Sequence, residues 1–309
     1  MIKKYDVVAV GSGNIDLVFR VPRLPGNDDK VVGKKISENV GGTVANSACM
    51  MSTLGLKVVS LSSAGDDRYG QLIVDDFNRH GVDTRYIKIN PGQDPNMAII
   101  IILDESGEKS LIYAPGDNCE WDQQTAFTAI AESKIMYTMP GDLEKYTVQA
   151  QYARSQNTLV AVDIEPHIAS DKEQLAKILN LADIAIFNQD GFTASSHCDP
   201  EFPVLHALRR KYSLSALVVT CGADGVIAVS AQEEARHSGF KIPVIDTTGA
   251  GDTFNASFIY TYANHYSLAP AIEFASAAAA LNIMQIGARG HLASIEEITH
   301  FISSAKGRE

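Results

Sequence analysis

Long apolar runs are missing from this 309-residue sequence. The longest, Met97 to Leu103, falls far short of the ~20 residues that a membrane-spanning helix needs, so no membrane partner is expected. Cysteine is scarce. The four present, Cys49, Cys119, Cys198 and Cys221, are scattered with no Cys-x-x-Cys pair, which excludes a disulfide framework and implies reduced, mostly buried thiols in a cytoplasmic protein. Positive charge is also in deficit, with 26 basic against 37 acidic side chains and a net charge of −11. Such a balance repels nucleic acid, and any anionic ligand must be held by local chemistry against the overall field. There is one tryptophan, Trp121, read as a packing residue, and there are no repeats or biased segments. The chain also has no GxxxxGK[ST] loop and no protein-kinase signature set, which removes two large classes of nucleotide-binding proteins.

What is present is a repeated alternation of short apolar strands and helices. Asp6–Val10 is too short for a signal segment and ends at Gly11, so it reads as a strand. Val44–Leu54 reads as a helix, Lys57–Ser62 as a strand, and 70–80 as a helix stopped by Gly81. Further on, Lys134–Thr138, Leu159–Asp163, Ile184–Phe187 and Ala216–Thr220 read as strands. The helices Leu143–Ser155 and Pro203–Tyr212 fall among them, and the alanine-rich Ala269–Met284 follows. This pattern predicts one α/β domain over 1–309: a doubly wound, mostly parallel sheet with helices on both faces. Two stretches, about 17–37 and 96–115, hold strand-like runs without helices. They predict a small β-layer serving as a lid, whose exposed strands could pair edge to edge in a homodimer.

Three glycine-rich motifs carry the chemistry. In Asp246-Thr247-Thr248-Gly249-Ala250-Gly251-Asp252, the small residues at a helix start leave backbone N–H groups open to an anion, and Asp252 sits beside them as a candidate base. Gly41-Gly42-Thr43-Val44-Ala45-Asn46 offers a close backbone approach, with Asn46 on the first helical turn able to grip hydroxyls. Gly11-Ser12-Gly13-Asn14-Ile15-Asp16 follows the first strand. It is not a dinucleotide fingerprint, because Asp16 fills the third glycine slot and would oppose a pyrophosphate; Asn14 and Asp16 suit neutral hydroxyls better.

Together these motifs resemble the ribokinase-like (phosphofructokinase B) family of carbohydrate and nucleoside kinases, over nearly the whole chain and in the family's order. The resemblance implies an ATP-dependent kinase acting on an alcohol group of a small sugar or nucleoside, with Mg²⁺ and a possible K⁺. It makes Asp252 the catalytic base and gives the anion hole to Gly249, Ala250 and Gly251. Asn14, Asp16, Gly41, Gly42, Thr43 and Asn46 would hold the sugar. Asn188, Thr220, Gly222, Gly225 and Ser276 would hold the nucleotide, and Asp246, Thr248, Asn282, Gln285 and Gly287 a monovalent cation.

The chain departs from the family in places. Gly191 stands where members often carry a Glu that supports Mg²⁺, so Asp190 is the nearest substitute. Pro140 stands where ribokinases proper place a sugar-binding Glu, with Asp142 nearby. His167, at a strand end, and Arg23, Lys30 and Lys109, on the lid, are further candidates for the site. The alternatives are a phosphosugar or nucleoside kinase of the same fold, and a non-catalytic nucleotide- or sugar-binding regulator.

Overall fold

The computed structural model describes residues 2–105, 108–117 and 122–306; Cys119, Trp121 and the Ser106-Gly107 turn lie outside the described residues. The first half runs β1 (Tyr5–Val10), β2 (Asn14–Val21), β3 (Lys34–Gly41), α1 (Thr43–Thr53), β4 (Val58–Gly65), α2 (Arg68–Arg79), β5 (Asp83–Asn90), β6 (Met97–Leu103), β7 (Lys109–Ala114), α3 (Gln123–Ala131), β8 (Ser133–Thr138) and α4 (Leu143–Ser155). It continues with β9 (Leu159–Ile164), α5 (Pro166–Ala169), α6 (Lys172–Leu179), β10 (Ile184–Asn188), α7 (Gln189–Ser196), α8 (Phe202–Tyr212) and β11 (Ala216–Thr220). The last part holds β12 (Val226–Ser230), β13 (Glu234–His237), α9 (Ala250–Ala263), α10 (Leu268–Asn282) and α11 (Ile295–Lys306).

The central strands are apolar without alternation because both faces of their sheet are covered. Val7, Val8, Val160, Val162, Ile184 and Leu217 are all fully buried. Nine strands form the sheet in the order β13-β12-β11-β10-β9-β8-β1-β4-β5. Neighbours from β5 to β11 run parallel, whereas β12 and β13 pair antiparallel at one edge. On one face α1, α9 and α10 bury Ala48, Met50, Phe258 and Ala275. On the other, α3, α4, α6 and α8 bury Ile130, Ala150, Ile178 and Leu205. The alanines of α10 let it pack closely on its neighbours, with Ala271, Ala275, Ala277 and Ala278 all in the core.

A second sheet of four strands, β3-β2-β6-β7, stands apart from the first. The expected doubly wound sheet and separate β-layer are therefore both present, with two differences. The small sheet reaches past 17–37 at both ends, since β2 begins at Asn14 and β3 ends at Gly41. These polar and glycine residues lack the apolar signature of a strand, but their pairing forms the base of the sheet. The β12–β13 hairpin also departs from the strand–helix rhythm; its turn residues Ala231-Gln232-Glu233 carry no glycine or proline signal. Of the cysteines, Cys49 is buried and Cys221 half-buried, but Cys198 is exposed after α7. This corrects the expectation of buried thiols, because Cys198 falls in a loop rather than on a core-facing element.

Candidate active site

The first two motifs meet through strand register. The chain leaves β1, turns at Gly11-Ser12-Gly13 and enters β2, where Asn14 lies opposite Gly41 and Asp16 opposite Asn39. The absence of side chains on the double glycine makes room for this meeting. A Cβ on Gly41 would collide with the Asp16 carboxylate. Gly42 has φ of 106°, and a Cβ there would stand 2.9 Å from both Asn14 Oδ1 and Ser12 O. Asn14, buried beneath the small sheet, donates its Nδ2 hydrogen to Asp16 Oδ1 at 2.5 Å. Burial raises the Asp16 pKa, opposed by the Asn14 hydrogen bond and the Arg289 charge.

Gly42 caps α1, so Asn46 falls on its first turn and points at the third motif. Its Nδ2 donates to Asp252 Oδ2 at 2.6 Å, and Ser47 Oγ donates to Asp252 O at 3.0 Å. Asp252 is the third residue of α9. Its carboxyl is pushed up to about 7, first by burial and then by the charges of Glu165 and Asp16, with Asn46 acting in the opposite direction. Behind it lies a buried group: Tyr137 Oη contacts Ser47 Oγ at 3.2 Å and accepts from Asn255 Nδ2 at 3.3 Å. Asp163 lies there too, its pKa raised well above the carboxylate range by burial and the nearby acids.

No side chain caps α9. Its N-cap, Gly249, has φ of 78°, and a Cβ there would collide with Ala288 O. Ala250 N–H turns back to Thr247 O at 3.3 Å. The N–H groups of Gly251 and Asp252, in the first turn, have no helical carbonyl to reach. Space beside Gly251 is open, since a Cβ there would meet nothing within 4 Å. Gly251 and Asp252 thus present uncommitted N–H donors at the helix start, while Ala250, expected with Gly249 and Gly251, is turned back to Thr247.

That helix start opens into a cavity of about 680 Å³ lined by Thr220, Gly222, Gly225, Thr247, Ala250, Gly251 and Ser276. Phe240, Ile242, Val244, Ala279, Ala280 and Ile283 supply an apolar wall suited to a flat ring. Four of the five expected nucleotide residues thus share one cavity with the uncapped helix. The fifth, Asn188, pairs in register with Thr220 on the adjacent strand.

A sequence profile described as "pfkB family carbohydrate kinase" matches residues 4–294. The chain belongs to the pfkB family of carbohydrate kinases. It is 28% identical over 308 residues to the ribokinase of Haemophilus influenzae, covering 97% of this chain and 99% of that one. It is 27% identical to the ATP-dependent ribose-1-phosphate kinase of Halopiger xanaduensis, covering 92% and 93%. Among solved structures, the Arabidopsis thaliana ribokinase complexed with ribose and ATP superposes with a TM-score of 0.84, at 20% identity over 98% of this chain and 99% of that one. The fold of this pfkB-family member is therefore that of the ribokinases.

Asp190 and His167 are exposed, and Asp142 caps α4, accepting from Lys145 N at 3.0 Å, while lining a cavity with Gly11, Ser12 and Pro140. Two residues that the motifs did not single out also enter the site. Glu165, at the end of β9, accepts from Asn188 Nδ2 at 2.9 Å and adds charge beside Asp252. A Cβ on Gly191 would lie 2.8 Å from Ile164 O and 3.4 Å from the backbone carbon of Glu165, so the start of α7 packs closely against the end of β9. Arg289, only 8% exposed, pairs with Asp76 of α2 and donates through Nε to Asn46 Oδ1 at 2.9 Å. It fixes the amide of Asn46 so that the nitrogen faces Asp252. The signal for Glu165 lay in its place after an apolar strand; that for Arg289 lay in no motif at all.

Breaking a buried ion pair exposes the partner's charge to a dry interior, at a cost of about 3–5 kcal/mol. Arg289→Met is expected to lose about that much in urea unfolding, and Arg289→Met with Asp76→Asn less than the sum of the two single changes. Simple additivity in this double-mutant cycle would remove the pair from the account.

Proposed function

We propose that this protein transfers the γ-phosphoryl group of ATP to a hydroxyl of a small, uncharged sugar, with Asp252 as general base. The observation that carries this reading is Asp252 itself: a half-buried carboxylate, raised to about 7, at an uncapped helix start between a nucleotide-sized cavity and the Asn14–Asp16–Asn46 polar cluster. The sugar hydroxyl gives its proton to Asp252 as its oxygen bonds to the γ-phosphorus. The bond from that phosphorus to the β-phosphate oxygen breaks, and ADP leaves. The Gly251 and Asp252 N–H groups stabilise the charge on the transferring group.

Mg²⁺ is a hard cation that favours oxygen ligands, and when bound it neutralises phosphate charge. Asn188 Oδ1 is committed to Gly191 N–H at 2.7 Å, which leaves Glu165 as the carboxylate best suited to support the metal.

An uncharged acceptor is favoured because three of the basic residues of the small sheet already face acids. Arg23 pairs with Asp29, Arg20 with Asp104, and Lys109 with Asp246. The small sheet, rising from Asn14 and Gly41, would act as the lid of the single domain and exclude water from the reaction. Its edge strand β7 exposes Leu111, Ile112 and Tyr113 by 55–62%, a surface suited to pairing with a second copy. Free thiols, one of them exposed, suit a reducing cytoplasm.

Release of ADP from Mg-ATP across a panel of sugars, sugar phosphates and nucleosides tests the reading. An uncharged sugar is expected to give the strongest signal, and Asp252→Asn to lower it by roughly 10²–10⁴. Unchanged turnover in that variant would refute the role of Asp252. Only the unprotonated carboxylate can act as a base, so kcat/KM should fall about tenfold per pH unit below about pH 7 and level off above it. Folding linkage has a matching sign. The raised carboxyl binds its proton more tightly folded than unfolded, where its pKa is ~3.9. Its stabilisation is complete below that value and is lost as pH rises to about 7, so Asp252→Asn should melt above the parent at pH 8 but not at pH 4. Glu165→Gln should weaken Mn²⁺ binding in the presence of ADP, measured by calorimetry, whereas Asp190→Asn should leave it unchanged; the reverse order would return the metal role to Asp190.

A further inference from the structure

The corner expected to bind a monovalent cation does assemble. Asp246 and Thr248 precede α9, and Gly287 reaches them from the loop after α10 by donating its N–H to Asp246 Oδ2 at 2.9 Å. Asn282 and Gln285 build that loop, with Gln285 N–H donating to Asn282 O at 3.1 Å and Asn282 Nδ2 to Ala288 O at 3.2 Å. The Asp246 carboxylate, however, is already engaged, and most heavily at Oδ1. Its Oδ1 accepts Thr248 N at 3.1 Å, Thr248 Oγ1 at 2.7 Å and Lys109 Nζ at 2.5 Å. With Gly287 these make four donors, three on Oδ1 and one on Oδ2, so Oδ1 has no acceptor position left. Burial would raise the Asp246 pKa, but the hydrogen bonds from Lys109, Thr248 and Gly287 hold it well below the usual range. A free cation would find the negative charge of this carboxylate already matched by a cation, at Oδ1.

We infer that the Lys109 ammonium serves as a built-in monovalent cation for Asp246, delivered by the outer strand of the small sheet to the loop that starts α9. Lys109 opens β7, far from Asp246 in sequence, and its Nζ also lies 3.4 Å from Thr248 Oγ1. Thr248 precedes Gly249, so whatever holds Asp246 and Thr248 sets the direction of the uncapped N–H groups. The loop is fixed on its other side by Ile245 N and Asp246 N, which both donate to Ile283 O, at 2.9 and 3.2 Å. Charge at Asp246 is thereby balanced without solution ions, and the small sheet gains a polar tie to the nucleotide side of the site. The tether confers independence from potassium.

The inference rests on the kinase reading for one of its two tests. In the first, sugar-dependent ADP release is measured with tetramethylammonium as the sole monovalent cation and then with added KCl. The parent rate should change less than about twofold. Lys109→Met should lose roughly tenfold to a hundredfold, the scale of one charge-assisted hydrogen bond, and recover with KCl or NH₄Cl. Lys109→Arg, which keeps the charge, should remain indifferent to potassium. The second test needs no turnover: thermal melting with Mg-ADP, in KCl against tetramethylammonium chloride at equal ionic strength. Lys109→Met should be selectively stabilised by potassium and the parent should not. A parent strongly activated or stabilised by potassium would overturn the inference, as would a Lys109→Met protein that matches the parent without it. Failure of turnover alone, with the melting result intact, would count against the kinase reading and not against the lysine.

Discussion

The 2.6 Å bond from Asn46 to Asp252 joins the first turns of α1 and α9, and each helix reaches that point because a glycine precedes it. A side chain on Gly42 would strike Asn14, and one on Gly249 would strike the backbone at Ala288. Two helix starts therefore converge on one carboxylate from opposite ends of the chain, with their positive dipole ends facing the same space. Arg289 holds Asn46 from behind and is held in turn by Asp76. The site is thus a consequence of packing as much as of its own residues.

Electrostatics then divides the labour. The chain carries a net charge of −11, and Asp16, Asp163 and Glu165 surround Asp252 with further acids. Such a setting keeps a base from ionising too early, but it repels a polyanion. Opposing that repulsion are the unsatisfied N–H groups at the start of α9, which open into the cavity lined by Thr220, Gly222 and Gly225. Acid-rich and donor-rich surfaces lie on either side of one residue. That asymmetry is what the proposed division into a hydroxyl-binding and a phosphate-binding side requires.

The alternation of apolar runs revealed the parallel sheet, because a strand covered on both faces must be apolar throughout. The glycine motifs revealed where backbone would be open, and Thr220, Gly222, Gly225 and Ser276 do gather around one cavity. Contacts between distant charged side chains were not legible. Arg289 sits between α1 and α2, which the sequence shows only as separate helical segments. Lys109 meets Asp246 across 137 positions, and no local pattern encodes that distance. Glu165 stood one residue from a proline in a segment whose histidine drew attention first. Asp190 is exposed on the first turn of α7, whereas Glu165, at the end of the neighbouring strand, is bonded to Asn188, a contact that no local pattern encodes.

The central claim is that enclosure among acids turns Asp252 into a base near neutrality. Its most direct test is a ¹³C NMR titration of carboxyl-labelled aspartates, with Asp252→Asn used to assign the resonance. The account predicts a carboxyl that titrates at about pH 7 and disappears from the spectrum of the variant. A value near the ordinary ~3.9 would contradict it, since a carboxylate that weakly basic would gain nothing from its burial.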